Sequence, residues 1–216
     1  MVEKSSCAGV CSGAQAQYNL GRFFTNGLGV TKSDEEAARW CRMAADQGLK
    51  EAQGYFGRLY MFGQGVEQND VEAVRWTLQA AEQGDTEAEY NMGLCCTTGR
   101  GGVAQSDVEA VRWYTLSAEK GYMPAQFNLA HMFGRGDGVV QSDSEGVKWL
   151  RKAADQGDAD AQYLMGTKYT LDRGVARSDT EAAKWYKKAA DQGHEKAMRA
   201  SDINLEASCS TTKLDC

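Results

Sequence analysis

Apolar residues recur along the chain in two alternating patterns, and both have the spacing of an α-helix. In the first pattern they stand at positions i, i+4 and i+8, which places them on one helix face. The pattern occurs five times, at Ala16/Leu20/Phe24, Ala52/Phe56/Tyr60, Ala88/Met92/Cys96, Ala125/Leu129/Phe133 and Ala161/Met165/Tyr169. A small residue follows the middle position each time, at Gly21, Gly57, Gly93, Ala130 and Gly166. Because glycine inside a helix costs ~1 kcal/mol relative to alanine, these residues predict the close approach of a neighbouring helix.

A second helical pattern follows each first one after a glycine-containing turn. Its apolar stripe stands at i, i+3, i+7 and i+8, as in Ala37, Trp40, Ala44 and Ala45. A capping box stands at the start of this second helix. It predicts that each of its two side chains accepts a hydrogen bond from the backbone N–H of the other residue. The boxes are Ser33/Glu36, Asn69/Glu72, Ser106/Glu109, Ser142/Glu145 and Ser178/Glu181. A glycine such as Gly48 is predicted to end the helix in a left-handed conformation.

The two patterns together form a repeat of 36 residues, with one extra residue in the second interval. Successive tryptophans are 36, 37, 36 and 36 residues apart. They are Trp40, Trp76, Trp113, Trp149 and Trp185. A single two-helix unit cannot bury its apolar face, so neighbouring units must stack, and one tryptophan per unit is predicted to fill the gap between them. The sequence therefore predicts an all-α solenoid of five tandem helix-turn-helix repeats with these tryptophans in its core.

The same periodicity sets the predicted domain organisation. One solenoid domain covers residues 14–206, with repeats at about 14–50, 51–86, 87–123, 124–159 and 160–195. A degenerate sixth helix at 196–206 is predicted to cap the last repeat. The polar, serine-rich segments 1–13 and 207–216 are predicted to be flexible.

The repeat resembles a known family. Residues 16–193 follow A-x-x-x-L-G-x-x-Y/F-x-x-G-x-G-V-x-x-x-D-x-x-A-x-x-W-x-x-x-A-A-x-Q-G, the pattern of the Sel-one-like repeats (SLR), which are relatives of the tetratricopeptide repeats. Departures are local, at Cys96, Ser117, Gly146 and Asp172. The resemblance implies a right-handed superhelix whose first helices line the concave side, and it implies adaptor or scaffold work.

Composition narrows the classes of partner. The net charge is −6 with Lys and Arg interspersed among acidic residues, which argues against nucleic acid and against an anionic membrane surface. No stretch approaches the ~20 apolar residues of a membrane span, and the N-terminus lacks the apolar core of a signal peptide. We therefore expect an intracellular, cytoplasmic protein. Seven cysteines with no relation to the repeat predict reduced thiols and no disulfide needed for folding.

The sequence offers little catalytic chemistry. The two histidines, His131 and His194, stand in no metal-ligand spacing, so no metal or other cofactor is expected. Ser117 and Lys120 match the S-x-x-K pattern of penicillin-interacting serine enzymes, and some cysteine-rich relatives carry a β-lactam-binding or β-lactamase label. Both residues simply occupy repeat positions, and no S-D-N or K-T-G partner motif is present. The prediction is a non-enzymatic protein; a β-lactam-binding enzyme and a structural spacer are the alternatives.

One set of residues lies outside the scaffold pattern. The residue two after the opening alanine of a first helix is aromatic in four repeats, about 200° around the helix from that alanine. The rings are Tyr18, Tyr90, Phe127 and Tyr163. Beside them stand Asn19, Asn91 and Asn128, and one turn further on come Arg22, Arg58 and His131. Aromatic, Arg and Asn side chains are typical of peptide-binding surfaces, although the rings could equally pack against the adjacent repeat. Our hypothesis is a monomeric module whose concave groove binds a protein or peptide, acidic and with apolar anchors.

Overall fold

Within the described residues the chain forms helices wherever the periodicity predicts them. The computed structural model describes residues 13–200, and over this range it contains ten α-helices and no strand. They are α1 (Ala14–Asn26), α2 (Asp34–Asp46), α3 (Lys50–Phe62), α4 (Asp70–Glu82), α5 (Thr86–Thr98), α6 (Asp107–Glu119), α7 (Met123–Arg135), α8 (Asp143–Asp155), α9 (Ala159–Leu171) and α10 (Asp179–Ala190). Residues 195–200 are helical again, while the remainder of the predicted cap and both predicted tails, apart from residue 13, lie outside the described residues. The predicted all-helical class is confirmed.

The described residues divide between two compact units, and the boundary falls between Leu116 and Ser117, inside α6. In the first unit α1 packs on α2 and α3 on α4, and each second helix also packs on the first helix of the next repeat, as α2 does on α3. In the second unit α7 packs on α8, α8 on α9, and α9 on α10. Each unit is thus built from the same two contacts, one within a repeat and one to the next repeat.

The tryptophans contribute unequally to the cores of the two units. Trp40, Trp76 and Trp185 are buried, whereas Trp113 and Trp149 are only half-buried. Trp76 lies in a cluster of buried residues that includes Phe56 and Leu59, and Trp185 in one that includes Leu150 and Met165. The half-buried rings pack against the edges of such clusters. The sequence predicted all five tryptophans in the core; three of the rings are buried, whereas Trp113 and Trp149 lie at the edges of the buried clusters.

The small residue in the middle of each first helix marks a close helix contact, as predicted. A β-carbon built on Gly57 would lie 2.9 Å from the carbonyl oxygen of Ala73, and one on Gly21 would lie 3.1 Å from that of Ala37. These carbonyls belong to the second helix of the same repeat. A side chain at Gly21 or Gly57 would push the two helices apart.

The capping boxes form only in part. The cap residue does accept from the helix N-terminus: Ser33 Oγ accepts from the N–H of Glu36 at 3.2 Å, and the other four repeats show the same bond. The predicted return bond from the glutamate is wrong. The Ser33 N–H donates instead to the carbonyl of Phe24 in the preceding helix, at 3.1 Å. Since that N–H is occupied, Glu36 pairs with Arg39 one turn further along α2.

A glutamine pair that the sequence pattern does not indicate links the two helices of a repeat, and a further bond of its buried member reaches the repeat before it. Gln53 is buried in α3; its Nε2 donates to the carbonyl of Ala45 in α2, and its Oε1 accepts from Gln83 Nε2 at 2.7 Å. The same pair occurs at Gln17/Gln47, Gln126/Gln156 and Gln162/Gln192. These bonds satisfy buried amides and fix the position of one repeat against the next.

Three cysteines lie in the described part of the chain, and all are buried free thiols. They are Cys41, Cys95 and Cys96. Burial raises the pKa of the Cys41 thiol to about 12 and also raises the pKa of Cys95 and Cys96. The other four cysteines, Cys7, Cys11, Cys209 and Cys216, lie outside the described residues.

Because the thiolate is the reactive form, we expect these three thiols to be inert in the folded protein. With the other four cysteines replaced by serine, reaction with a disulfide reagent at pH 8 should be at least about a hundredfold slower in the native state than in guanidinium. Thermal unfolding of the unmodified chain should be the same with and without reductant. A large drop in the melting temperature on reduction would contradict the prediction that folding needs no disulfide.

Candidate functional site

Three successive first helices enclose a pocket in the first unit. It measures about 260 Å³ and lies between α1, α3 and α5. Four residues of the predicted groove line it: Tyr18, Arg22, Arg58 and Asn91. The rest of the lining comes from Glu51, Gly54, Tyr55, Asp85, Glu87 and Ala88. We call this the first-unit pocket.

Aromatic rings and guanidinium groups are stacked along the wall of the first-unit pocket. The rings of Tyr18 and Tyr55 meet edge to face with centroids 5.9 Å apart. The guanidinium carbon of Arg58 lies 4.6 Å from the centroid of the Tyr55 ring, within cation–π range. Tyr55 is fixed further by its hydroxyl, which donates to Thr25 Oγ1 at 2.8 Å. Burial raises the pKa of Tyr18, so its phenol stays neutral. The wall is therefore held in shape by its own contacts.

The charges of the first-unit pocket are mixed. Arg58 pairs with Glu87 at 3.6 Å, and both side chains are partly exposed to solvent. Arg22 has no ion-pair partner within residues 13–200. Asp85 is committed to the N-terminus of α5, where Oδ1 accepts from the N–H of Ala88 at 2.8 Å. Two guanidinium groups and three carboxylates line the pocket in all, so it does not strongly favour either sign of charge.

Sequence reasoning missed Tyr55 and the three carboxylates. The series of aromatic residues on the first helices is interrupted by Gly54 in α3, so it does not indicate a ring on that helix. The sequence does contain one signal. Tyr55 directly follows Gly54, and its side chain is displaced from that position by only 100° around the helix. Glu51, Asp85 and Glu87 stand at helix N-termini, where acidic residues are common for other reasons.

A second pocket of about 250 Å³ lies in the second unit, between α7, α8 and α9. Its floor is apolar and includes Ala130, Leu150 and Leu164. Its basic residues are His131, Arg135, Lys168 and Arg173. Of the predicted groove residues only His131 lines this second-unit pocket. Gly146, which replaces the usual alanine of the repeat, also lines it, and a β-carbon built there would lie 3.0 Å from the carbonyl oxygen of Ala130.

The second-unit pocket has a positive electrostatic character. Lys168 and Arg173 share Asp143 as ion-pair partner, and these bonds hold the pKa of Asp143 below its usual value. Arg135 forms no ion pair with any residue that the structure describes. The pKa of His131 is lowered, first by burial and then by the charges of Arg135 and Lys168. An anionic group near Arg135 would be attracted to this pocket.

The remaining predicted residues lie outside both pockets. The Tyr90 ring packs on Tyr114 with centroids 5.7 Å apart, and Tyr163 packs on Tyr186 at 5.6 Å. Phe127 packs on His131 at 4.8 Å. Of the asparagines, Asn19 is exposed and Asn128 is half-buried. Tyr90 and Tyr163 therefore each pack on the second helix of their own repeat, whereas the alternative interpretation placed the rings against the adjacent repeat.

The candidate catalytic and metal-binding residues do not assemble into a site. Among residues 13–200 no three His, Cys, Asp or Glu side chains are placed to hold a metal ion. Ser117 is completely buried, so its hydroxyl is not accessible to a substrate. His194 is bonded to Asp160 and to the N–H of Ala197, which fixes the start of the last helical turn. Of the helices described, none has the length and apolarity to cross a bilayer.

Stacked helix pairs with pockets between successive first helices define a helical tandem-repeat protein. The Sel1 repeat model matches five segments of the chain, at residues 14–49, 50–85, 86–122, 124–158 and 159–194. The chain belongs to the Sel1 repeat family. Proteins of this family generally mediate protein–protein interaction and are generally non-enzymatic scaffolds.

Solved structures confirm the solenoid class. The protective antigen c5321 of uropathogenic Escherichia coli, described as displaying an SLR fold, is 33% identical with a TM-score of 0.88; the match covers 91% of this chain and 42% of that one. This chain therefore spans less than half of the antigen. A Sel1 repeat protein of Oxalobacter formigenes is 34% identical with a TM-score of 0.78, over 87% of this chain and 74% of that one. The immunity protein Pa5087 of Pseudomonas aeruginosa shares the fold at 21% identity and a TM-score of 0.52, over 85% of this chain and 67% of that one. None of the curated proteins matches the chain.

Proposed function

We propose that this chain is an adaptor or scaffold module that binds a protein or peptide partner on the surface formed by its first helices. The observation that carries this proposal is the first-unit pocket, where Tyr18, Arg22 and Arg58 converge from two helices with Asn91 from a third. Tyrosine and arginine are the residues that contribute most often to binding energy at protein interfaces. Tyr18 and Arg58 are already held by contacts with Tyr55 before binding, which reduces the entropy lost on association.

The proposed partner carries acidic and apolar side chains. The second-unit pocket supports this part of the proposal, because its floor is apolar and Arg135 on its wall has no carboxylate partner among the described residues. In the first-unit pocket Arg22 is the corresponding guanidinium, while Arg58 already has Glu87. A charge-assisted hydrogen bond to such an arginine is about twice as strong as a neutral one.

The test is affinity capture from cell lysate with quantitative mass spectrometry, comparing two double variants. Arg22→Ala/Arg58→Ala removes both guanidinium groups from the first-unit pocket. Arg39→Ala/Arg42→Ala removes the same charge from exposed positions on α2, a second helix. We expect the first variant to reduce recovery of a specific partner at least about tenfold, which corresponds to about 1.4 kcal/mol of binding energy. The second variant should leave it within about twofold, because exposed ion pairs contribute little.

Two controls accompany the capture. Both double variants should unfold within about 1 kcal/mol of the wild type, since the ion pairs they remove are on the surface. Binding should also weaken between low and high salt if arginine–carboxylate contacts carry it. Equal recovery with both variants would contradict the proposed site, and the partner surface would then lie on the second helices or elsewhere.

A further inference from the structure

One first helix lacks the ring that the other four carry. The position two after the opening alanine is Tyr18, Tyr90, Phe127 or Tyr163 in α1, α5, α7 and α9, and it is Gly54 in α3. Glycine in the middle of a helix is unfavourable, so its presence requires a reason. Unlike Gly57 on the same helix, Gly54 is not forced by a close backbone contact: a β-carbon built there would meet only ordinary van der Waals neighbours, the nearest at 3.5 Å.

The fifth repeat shows where a ring at this position goes. Tyr163 stacks on His194 with ring centroids 4.8 Å apart and planes 22° from parallel. His194 is the residue that follows the helix-ending glycine of that repeat. The corresponding residue in the second repeat is Asp85, and its Oδ1 is the atom 3.5 Å from a β-carbon built on Gly54. A side chain leaving Gly54 in the direction taken by Tyr163 would therefore enter the space beside Asp85.

That space is the first-unit pocket. Gly54, Asp85 and Ala88 all line it, and Tyr18 and Tyr55 form its aromatic wall. The second repeat thus has an open pocket at the place where the fifth repeat has a tyrosine of its own.

We propose that the first-unit pocket receives a tyrosine side chain from the protein partner, which takes the place of the missing ring. This inference rests on the proposed function. The ring would lie among Tyr18, Tyr55 and the guanidinium of Arg58, and contacts of this kind favour aromatic groups. The phenolic hydroxyl both donates and accepts, so it suits a rim that offers carboxylates as well as guanidinium groups.

The mixed charge of the rim argues against a charged occupant. A lysine from the partner would meet Arg22 and Arg58, and a carboxylate would meet Glu51, Asp85 and Glu87. A phenylalanine would fill the space but would leave the polar rim without a partner, which costs binding energy. A neutral ring with one hydroxyl avoids all three penalties.

The experiment uses the full chain and p-cresol as a probe of the tyrosine side chain, followed by amide chemical shifts in nuclear magnetic resonance spectra. We expect p-cresol to shift the signals of Gly54, Asp85 and Ala88, and toluene to bind at least about threefold more weakly because it lacks the hydroxyl. N-acetyl-lysinamide should cause no shifts there. Shifts centred elsewhere, or equal binding of toluene and p-cresol, would overturn the proposal.

A substitution that fills the pocket with a side chain of the protein itself provides the matched variant. Gly54→Tyr should weaken p-cresol binding at least about tenfold, a loss corresponding to about 1.4 kcal/mol, without lowering the melting temperature. Gly54→Ala should retain binding within about threefold and should raise the melting temperature, because it removes a helical glycine. If Gly54→Tyr fails to fold, Gly54→Leu serves in its place and should also reduce binding. Undiminished binding to the folded filled variant would show that the ring does not enter this space.

Affinity capture separates this inference from the proposed function. If Arg22→Ala/Arg58→Ala loses the partner and Gly54→Tyr keeps it, the surface binds a partner without a tyrosine in the pocket, and only the inference is wrong. If both variants keep every partner, the proposed function of this surface is wrong as well. Loss of the partner with both variants, together with p-cresol binding, supports both.

Discussion

Replacing Trp76 by alanine is expected to lower the free energy of unfolding by about 3–5 kcal/mol, the usual cost of truncating a buried aromatic side chain. Trp76 is 6% exposed and packs edge to face on Phe56 with ring centroids 5.3 Å apart. Its indole N–H is buried and has no hydrogen-bond partner among the described residues, so the expected loss comes from packing and from the contact with the Arg75 guanidinium, 4.5 Å from the ring centroid. Urea unfolding followed by circular dichroism at 222 nm measures the change.

Two further substitutions serve as comparisons for the stability loss of Trp76→Ala. Trp149→Ala removes the equivalent ring of the fourth repeat, which is half-buried, and should therefore cost less than Trp76→Ala. Arg42→Ala removes an exposed side chain of α2 and should change stability by no more than about 0.5 kcal/mol. If all three were equally mild, the tryptophans would not be the packing centres of the repeats.

The sequence predicted the fold well because five copies of one pattern carry the same information. A single stripe such as Ala52, Phe56 and Tyr60 is ambiguous, but the constant interval between tryptophans leaves few alternatives to stacked helix pairs. The left-handed glycines that end the helices were predictable for the same reason. Even the exception is local: Asp172 takes the place of a turn glycine, adopts φ of 55°, and accepts a bond from the N–H of Arg177 with its own carboxylate.

Hydrogen bonds between residues that are distant in the sequence were not predictable in this way. The capping box requires a free N–H on Ser33, and the sequence does not reveal that the carbonyl of Phe24 already occupies it. The buried Gln53 and its exposed partner Gln83 are 30 residues apart in the chain, and their pairing gives no local signal. Periodicity identifies which face of a helix is buried, but not which polar groups meet across the contact.

The candidate site shows the same limit. The aromatic series indicated one face of the first helices, and Tyr18, Arg22 and Arg58 line one pocket there. The series gave equal weight to Tyr90 and Tyr163, although each packs on a tyrosine of a second helix. The most informative position was Gly54, where the expected ring is absent. An absent side chain looks like a defect in a sequence pattern, and only the structure shows that it opens a pocket.

The second large effect is expected at the glycine turn that joins the two helices of a repeat. Gly65 follows α3 with φ of 70°, a left-handed conformation that disfavours every residue with a β-carbon. A β-carbon built on it would lie 1.9 Å from the carbonyl oxygen of Asp34, the first residue of α2. The turn of one repeat is therefore pressed against the second helix of the repeat before it. Gly101 and Gly174 make the same approach to Asp70 and Asp143.

Gly29 provides a matched control for Gly65. It occupies the same position in the first repeat with φ of 72°, but no atom lies within 4 Å of a β-carbon built there. Gly29→Ala should cost about 1–2 kcal/mol, the strain of a left-handed residue alone. Gly65→Ala carries the same strain and must also displace backbone of the neighbouring repeat, which adds about 1–3 kcal/mol. Urea unfolding of the two variants isolates the contact between repeats as the difference between them. Equal losses would mean that the turn needs glycine only for its conformation and that the repeats are not held together at this point.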